Sequence, residues 1–146
     1  MRVMATADAS RSPHEGIRRT LMQYAQLCDD GRFDEWVDLF TPDARFHVMG
    51  ATHEGRAAIQ AFITNAMPAE RRGRHAVFTP VIDLDPSAMT ATAWTDYLFF
   101  DRSGAVTSTG RYHDELAEGA DARWRFTLRE IVFQGGSPTL AGPLPG

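Results

Sequence analysis

The chain has 146 residues, 43% of them hydrophobic, and its 15 basic and 19 acidic residues leave a net charge of −4. That length and composition fit one domain with a buried core and exclude a pair of full-sized domains. The acidic balance, with no basic run beyond Arg71, Arg72 and Arg74, argues against nucleic-acid binding, and the single cysteine, Cys28, excludes an intrachain disulfide framework.

Residues 1–11 lack the apolar centre of a secretory signal and read as an extended or disordered lead-in. Ser12-Pro13-His14-Glu15 has the pattern of a capping box, with Pro13 at the first helical position and Glu15 reaching back to the cap. Ile17, Leu21, Tyr24 and Cys28 follow at helical spacing and Asp30-Gly31 supplies a stop, so the first helix is expected over Pro13–Asp29. Phe33, Trp36, Val37 and Phe40 repeat the spacing for a short second helix that ends before Thr41-Pro42-Asp43. Arg45 to Met49 is expected to form a strand, Gly50 and His53-Glu54-Gly55 a turn, and Ile59, Phe62, Ile63 and Ala66 a third helix terminated by Pro68.

The composition then shifts to Val, Thr, Phe, Tyr and Trp. Arg74–Leu84, Met89–Asp101, Ala105–Leu116 and Arg123–Phe133 read as four consecutive strands. The connections Asp85-Pro86-Ser87, Asp101-Arg102-Ser103-Gly104 and Glu118-Gly119-Ala120-Asp121 are short and turn-forming, which predicts an antiparallel meander. From Gly135 onward the chain is rich in Gly and Pro and reads as a tail. No stretch approaches the roughly 18 apolar residues of a membrane span. A protein of the reducing cytoplasm, bound to neither membrane nor nucleic acid, is expected.

Helices followed by an antiparallel sheet predict an α+β fold: a cone-shaped α+β barrel over residues 12–134, with N-terminal helices packed on a curved, mainly antiparallel sheet. Such a cone is either filled by side chains or holds one apolar cavity for a small molecule.

Several residues could carry chemistry there. Asp29, at the end of the first helix, opposes the helix dipole, so it is either a solvated carboxylate or one held there by a partner. His75 alternates with Val77, Thr79 and Val81; it is either a packed histidine or a proton carrier, provided a carboxylate such as Asp29 fixes its tautomer. Arg129 could lie exposed on the last strand or face inward to stabilise a developing anion, with Arg111, Arg123 and Arg125 as rivals. Tyr24, Tyr97, Tyr112, Phe46 and Trp36 are either core or cavity wall.

A metal site is not expected. His47, His53, His75 and His113 with Asp114 form no His-x-His or His-Glu-x-x-His pattern. Cys28 reads as a small buried apolar residue, because a helix C-terminus raises a thiol pKa.

The order of landmarks resembles the SnoaL-like branch of the nuclear transport factor 2-like superfamily, which includes ketosteroid isomerase, scytalone dehydratase and hexachlorocyclohexane dehydrochlorinase. The resemblance spans about Ile17 to Phe133. It is carried by Tyr24-Ala25 with Asp29, Leu39-Phe40-Thr41-Pro42-Asp43-Ala44, Gly55-Arg56-Ala57-Ala58-Ile59, His75, Gly110-Arg111-Tyr112-His113-Asp114, and Trp124-Arg125-Phe126 with Arg129. It implies an Asp29–His75 dyad with His75 as general base, Arg129 and Tyr112 as pocket residues, and Tyr24 as a hydrogen-bonding contact to substrate. Thr79 stands where relatives often carry an asparagine, and no second strand histidine matches the dehydratase's.

The resulting expectation is a cofactor-independent lyase or isomerase acting on a small apolar or aromatic molecule. The alternative, from another class, is a non-catalytic binding or assembly module similar to a dioxygenase β subunit. A homodimer through the open sheet face is expected under either, with Trp94, Phe100 and Trp124 as aromatic anchors.

Overall fold

A computed structural model describes residues 11–134. The expected lead-in up to residue 10 and the tail from Gly135 lie outside the described residues.

Helix α1 runs over Pro13–Asp29 and begins as its sequence dictates: the Ser12 hydroxyl accepts from the Glu15 amide at 3.2 Å and Pro13 occupies the first turn. The reciprocal half of the capping box does not form, because the Glu15 carboxylate turns forward to Arg18 at 3.0 Å. Ile17, Leu21, Tyr24 and Cys28 make the buried stripe. The stop is Gly31, at φ +71°, whose amide donates to the Cys28 carbonyl while that of Arg32 donates to Leu27. Helix α2 covers only Phe33–Val37, so it ends earlier than the spacing to Phe40 predicts. Phe40 opens strand β1 (Phe40–Val48) instead. The expected turn near residues 50–54 is a hairpin arm: β2 (Ala51–Glu54) pairs with β1 around Met49 and Gly50, both at positive φ, as a two-residue hairpin loop requires. Helix α3 follows over Gly55–Ala66.

The expected strand Arg74–Leu84 is two strands, β3 (Arg74–Val77) and β4 (Val81–Asp85). Pro80 lies in the break, where a residue without an amide proton cannot extend the ladder. Both pair antiparallel with one edge of β5 (Thr90–Phe100), β3 opposite Tyr97–Phe100 and β4 opposite Thr90–Trp94. Strands β5, β6 (Val106–Glu118) and β7 (Trp124–Phe133) form the expected meander. Asp85, Asp101 and Asp121 each accept hydrogen bonds from backbone amides two residues on, at Ser87, Ser103 and Arg123, which builds the three turns.

The sheet order is β2-β1-β7-β6-β5-β3, with β4 also on β5. Only β1 and β7 run parallel, a pairing between chain-distant strands that local sequence does not encode. The sheet is thus mixed but mostly antiparallel, and it does not close on itself. Its inner face meets the three helices through Ile17, Leu21, Trp36, Phe40, Phe46, Ile59, Leu116 and Phe126, all at most 1% exposed. No helix among the described residues is long and apolar enough to cross a membrane.

Candidate active site

Helix α1 ends against strand β3, and this junction brings two chain-distant residues together. The Asp29 carboxylate accepts from His75 twice: Oδ2 from the backbone amide at 2.9 Å and Oδ1 from Nδ1 at 2.6 Å. The side chains are 4% and 11% exposed, respectively. An ionised carboxylate accepts and cannot donate, so Nδ1 is the ring nitrogen that donates to it; in the neutral imidazole this leaves the lone pair on Nε2. This is the physical reason for a carboxylate at a helix end that the dipole disfavours: its partner is the strand, not the helix.

His75 lines a cavity of about 440 Å³, within the range of about 300–1,000 Å³ usual for small-ligand sites, and Asp29 holds it from behind the wall. Helix α1 contributes Tyr24 and Cys28 to its wall, β1 Phe46 and Val48, and α3 Phe62, Ile63 and Ala66. The sheet contributes His75, Tyr97, Phe99, Ser108, Tyr112, Ile131 and Phe133, while Glu70, Arg71, Asp101 and Arg102 add charge. The wall around His75 is aromatic: its ring centroid lies 4.7 Å from that of Phe99 and 6.1 Å from that of Tyr97. Four of the expected contact residues, Tyr24, Tyr97, Tyr112 and Phe46, therefore do face the cavity.

Two do not. Trp36 is wholly buried beneath the wall, 5.3 Å from Tyr24 and 5.0 Å from Phe40 between ring centroids. Arg129 does face inward, but it is 1% exposed and absent from the cavity wall. Its Nε and Nη2 donate to the two Asp114 oxygens at 2.7 and 2.8 Å. The guanidinium lies 3.7 Å from the Tyr112 ring centroid, 4.1 Å from that of Tyr24 and 4.3 Å from that of Phe126. Burial works against the Arg129 charge, but the adjacent Asp114 outweighs it and holds the guanidinium protonated. Arg129 therefore supports two tyrosines of the wall from behind. Burial pushes the hydroxyls of both, Tyr24 and Tyr112, well above the ordinary tyrosine pKa. The rival arginines are also engaged elsewhere: Arg111 with Asp96, Arg123 with Asp38, and Arg125 with Asp121.

Cys28, Asp29 and His75 place potential ligand atoms within 4.8 Å of one another. Burial pushes the Cys28 thiol up to about 12, with the Asp29 charge adding to the effect, so no thiolate is on hand. The 2.6 Å contact between Asp29 and His75 is a hydrogen bond, whereas two ligands of one zinc ion would stand roughly 3.4 Å apart. The geometry is that of a dyad beside a neutral thiol.

Sequence reasoning missed Ser108, Phe99, Phe62 and Met67 in the wall. Phe62 and Met67 gave only a helical stripe and its end, but the alternation that puts His75 inward also selects its cross-strand partner Phe99 and, in turn, Ser108.

The sequence profile of the SnoaL-like domain matches residues 11–130. No curated protein matches the chain. A solved nuclear transport factor 2-like protein with a cystatin-like fold from Novosphingobium aromaticivorans is 28% identical, with a TM-score of 0.74 over 93% of this chain and 88% of that one. A scytalone dehydratase candidate from the same organism is 21% identical, with a TM-score of 0.72 over 83% of each chain. The β subunit of a candidate aromatic-ring-hydroxylating dioxygenase, also from that organism, is 18% identical, with a TM-score of 0.72 over 90% of this chain and 95% of that one. The two more distant likenesses show the fold alone. On the profile match and the shared architecture, the chain belongs to the SnoaL-like domain family.

Proposed function

We propose that the protein is an acid–base lyase or isomerase that works without a cofactor on a small apolar or aromatic molecule. The observation that carries this reading is the Asp29–His75 pair, bonded at 2.6 Å with His75 on the wall of an aromatic-lined cavity. In this reading Nε2 of His75 removes a proton from a carbon acid. The Asp29 carboxylate holds the ring in orientation and stabilises the imidazolium that forms. The imidazolium then returns the proton to a second carbon, which completes an isomerisation, or to a leaving group, which completes an elimination or dehydration. Arg129, removed from the cavity, acts only through the tyrosines it supports.

The shared first step can be measured without knowing the natural substrate. 2-Tetralone is a flat carbon acid, and its deuterium uptake in D₂O is read by proton NMR. The protein accelerates this exchange; His75→Ala abolishes the acceleration and Asp29→Asn reduces it about 10²–10⁴-fold. Exchange equal to that in protein-free buffer, or unaffected by both substitutions, sinks the reading.

The outer sheet face favours self-association. Val81, Trp94 and Val132 are 65%, 52% and 41% exposed, and the Trp94 ring stacks on His113 at 4.8 Å. Phe100 is only partly exposed, and Trp124, expected among the anchors, is buried at 3%, where its carbonyl accepts from Thr20 at 2.6 Å. We propose a homodimer through this face. Trp94→Glu then converts a dimer to a monomer in analytical ultracentrifugation, and an unchanged sedimentation coefficient refutes it.

A further inference from the structure

The inner face of the sheet carries a polar feature that the dyad does not use. The hydroxyls of Tyr97 and Ser108 meet at 2.9 Å on the cavity wall. Their placement follows from strand register. His75 pairs with Phe99 and Phe99 with Ser108, so the three form one row across β3, β5 and β6. Two strand spacings, about 10 Å, separate the imidazole end of that row from the serine end. Phe99 lies between them as an apolar floor.

Tyr97 sits one inward position along β5, opposite Gly110. A Cβ at Gly110 would come within 2.4 Å of the Val132 carbonyl oxygen and 3.1 Å of the Tyr97 ring. The missing side chain lets that ring lie along the sheet, stacked on Tyr112 at 4.6 Å and 17°, with its hydroxyl reaching Ser108. Burial pushes the Tyr97 pKa up, and Ser108 and Arg129 only partly offset this, so the phenol stays neutral.

Proton counting gives the consequence. Two neutral hydroxyls bring two protons, and their mutual bond consumes one. No other hydrogen-bond partner for either hydroxyl exists among the described residues. One donor is therefore left over at the cavity wall.

We propose that Tyr97 and Ser108 form an oxygen subsite, which holds the carbonyl or phenolic oxygen of a flat, fused-ring ligand lying across Phe99 toward His75. The ligand class is an aromatic ketone or phenol of two to three rings, since such a skeleton spans the row. Ser108 is the positioning residue: by donating to Tyr97 it turns the tyrosine proton toward the ligand. The subsite rests on the acid–base reading and deepens it: when His75 takes a proton from the carbon at its end of the row, the charge left behind delocalises through the conjugated rings onto the oxygen held at the other end.

The test is a binding comparison on the full chain, read by fluorescence titration, between 2-naphthol and 2-methylnaphthalene, which share a skeleton and differ in the oxygen. The wild type prefers 2-naphthol about tenfold, the worth of one hydrogen bond. Tyr97→Phe, which keeps the ring stack, brings the two ligands to parity. Ser108→Ala lowers the preference partway, and His75→Ala leaves it intact. Absence of binding by either ligand, equal binding in the wild type, or a preference that survives Tyr97→Phe overturns the subsite. A preference lost in His75→Ala but kept in Tyr97→Phe also overturns it, because the dyad would then hold the oxygen. Should Ser108→Ala fail to fold, Tyr97→Phe decides alone. No turnover is needed, so failure of the deuterium exchange and failure of this preference are separate results.

Discussion

Replacing Arg129 by methionine separates a stabilising from a catalytic role for that residue. The guanidinium and the Asp114 carboxylate are joined by two hydrogen bonds, with side chains 1% and 0% exposed. Removing the cation leaves a carboxylate enclosed without its partner, a defect that costs about 3–5 kcal/mol. At about 2.1 cal/mol/K per residue over the described domain, the unfolding entropy is roughly 0.26 kcal/mol/K, so the melting temperature should fall by roughly 12–19 °C. The same defect arises in Asp114→Leu, which strands the guanidinium among three rings. In the double variant Asp114→Leu/Arg129→Met, no charge remains buried and most of the loss is recovered, as replacement of buried ion pairs by apolar groups is often neutral. Thermal and urea unfolding followed by circular dichroism on the four proteins completes the cycle. A single-variant loss below about 1 kcal/mol, or a double variant as unstable as the two losses added, refutes the assignment. Loss of turnover at unchanged stability would restore Arg129 to the catalytic set.

Two further outcomes follow from titrating groups. The Cys28 thiol, raised from 9.0 to about 12, should resist a thiol-specific reagent at pH 8 in the native protein and react at once in denaturant; rapid native labelling contradicts its burial. Because the fold favours the protonated thiol, its contribution to stability is present below about pH 9 and is lost as pH rises toward 12. At the other extreme, Arg125 holds Asp121 below its ordinary 3.8, so the stability this pair supplies is present above that value and is lost as pH falls through the lower folded-state pKa. Asp121→Asn should therefore flatten the acid limb of the stability profile, and an unchanged limb contradicts the contact.

How far residues alone specify this molecule depends on the range of the interaction involved. The start of α1, its buried stripe and the three Asx turns rest on contacts within four residues and can be read directly. Asp29 is identifiable as a candidate because it opposes the dipole of its own helix, and His75 because a titratable ring alternates with apolar strand residues, but their contact at 2.6 Å bridges 46 positions. The parallel pairing of β1 with β7 leaves no local trace, and it explains why Phe40 belongs to a strand although its spacing suits a helix.

Arg129 shows a subtler difficulty. Trp124 and Phe126 point inward on even positions, yet Arg129 is also buried, and Ile131 and Phe133 line the cavity, on odd positions. Register slips opposite Glu115 and Leu116, where Leu128 and Phe126 are successive partners, so Thr127 is an extra residue and the alternation reverses beyond it. Simple counting along the strand from Trp124 puts Arg129 outside.

The cage of rings around Arg129 also divides the cavity into a stiff half and a soft one. Tyr24 and Tyr112 each serve two masters, one side toward the cavity and the other against a buried cation. Widening the chamber at either position would expose that cation to rearrangement, so drift or engineering there is penalised twice. Phe62, Ile63 and Met67 on the opposite side meet no such demand. Divergence of ligand choice within this scaffold should therefore accumulate on α3 and the turn after it, while the tyrosine wall keeps its shape.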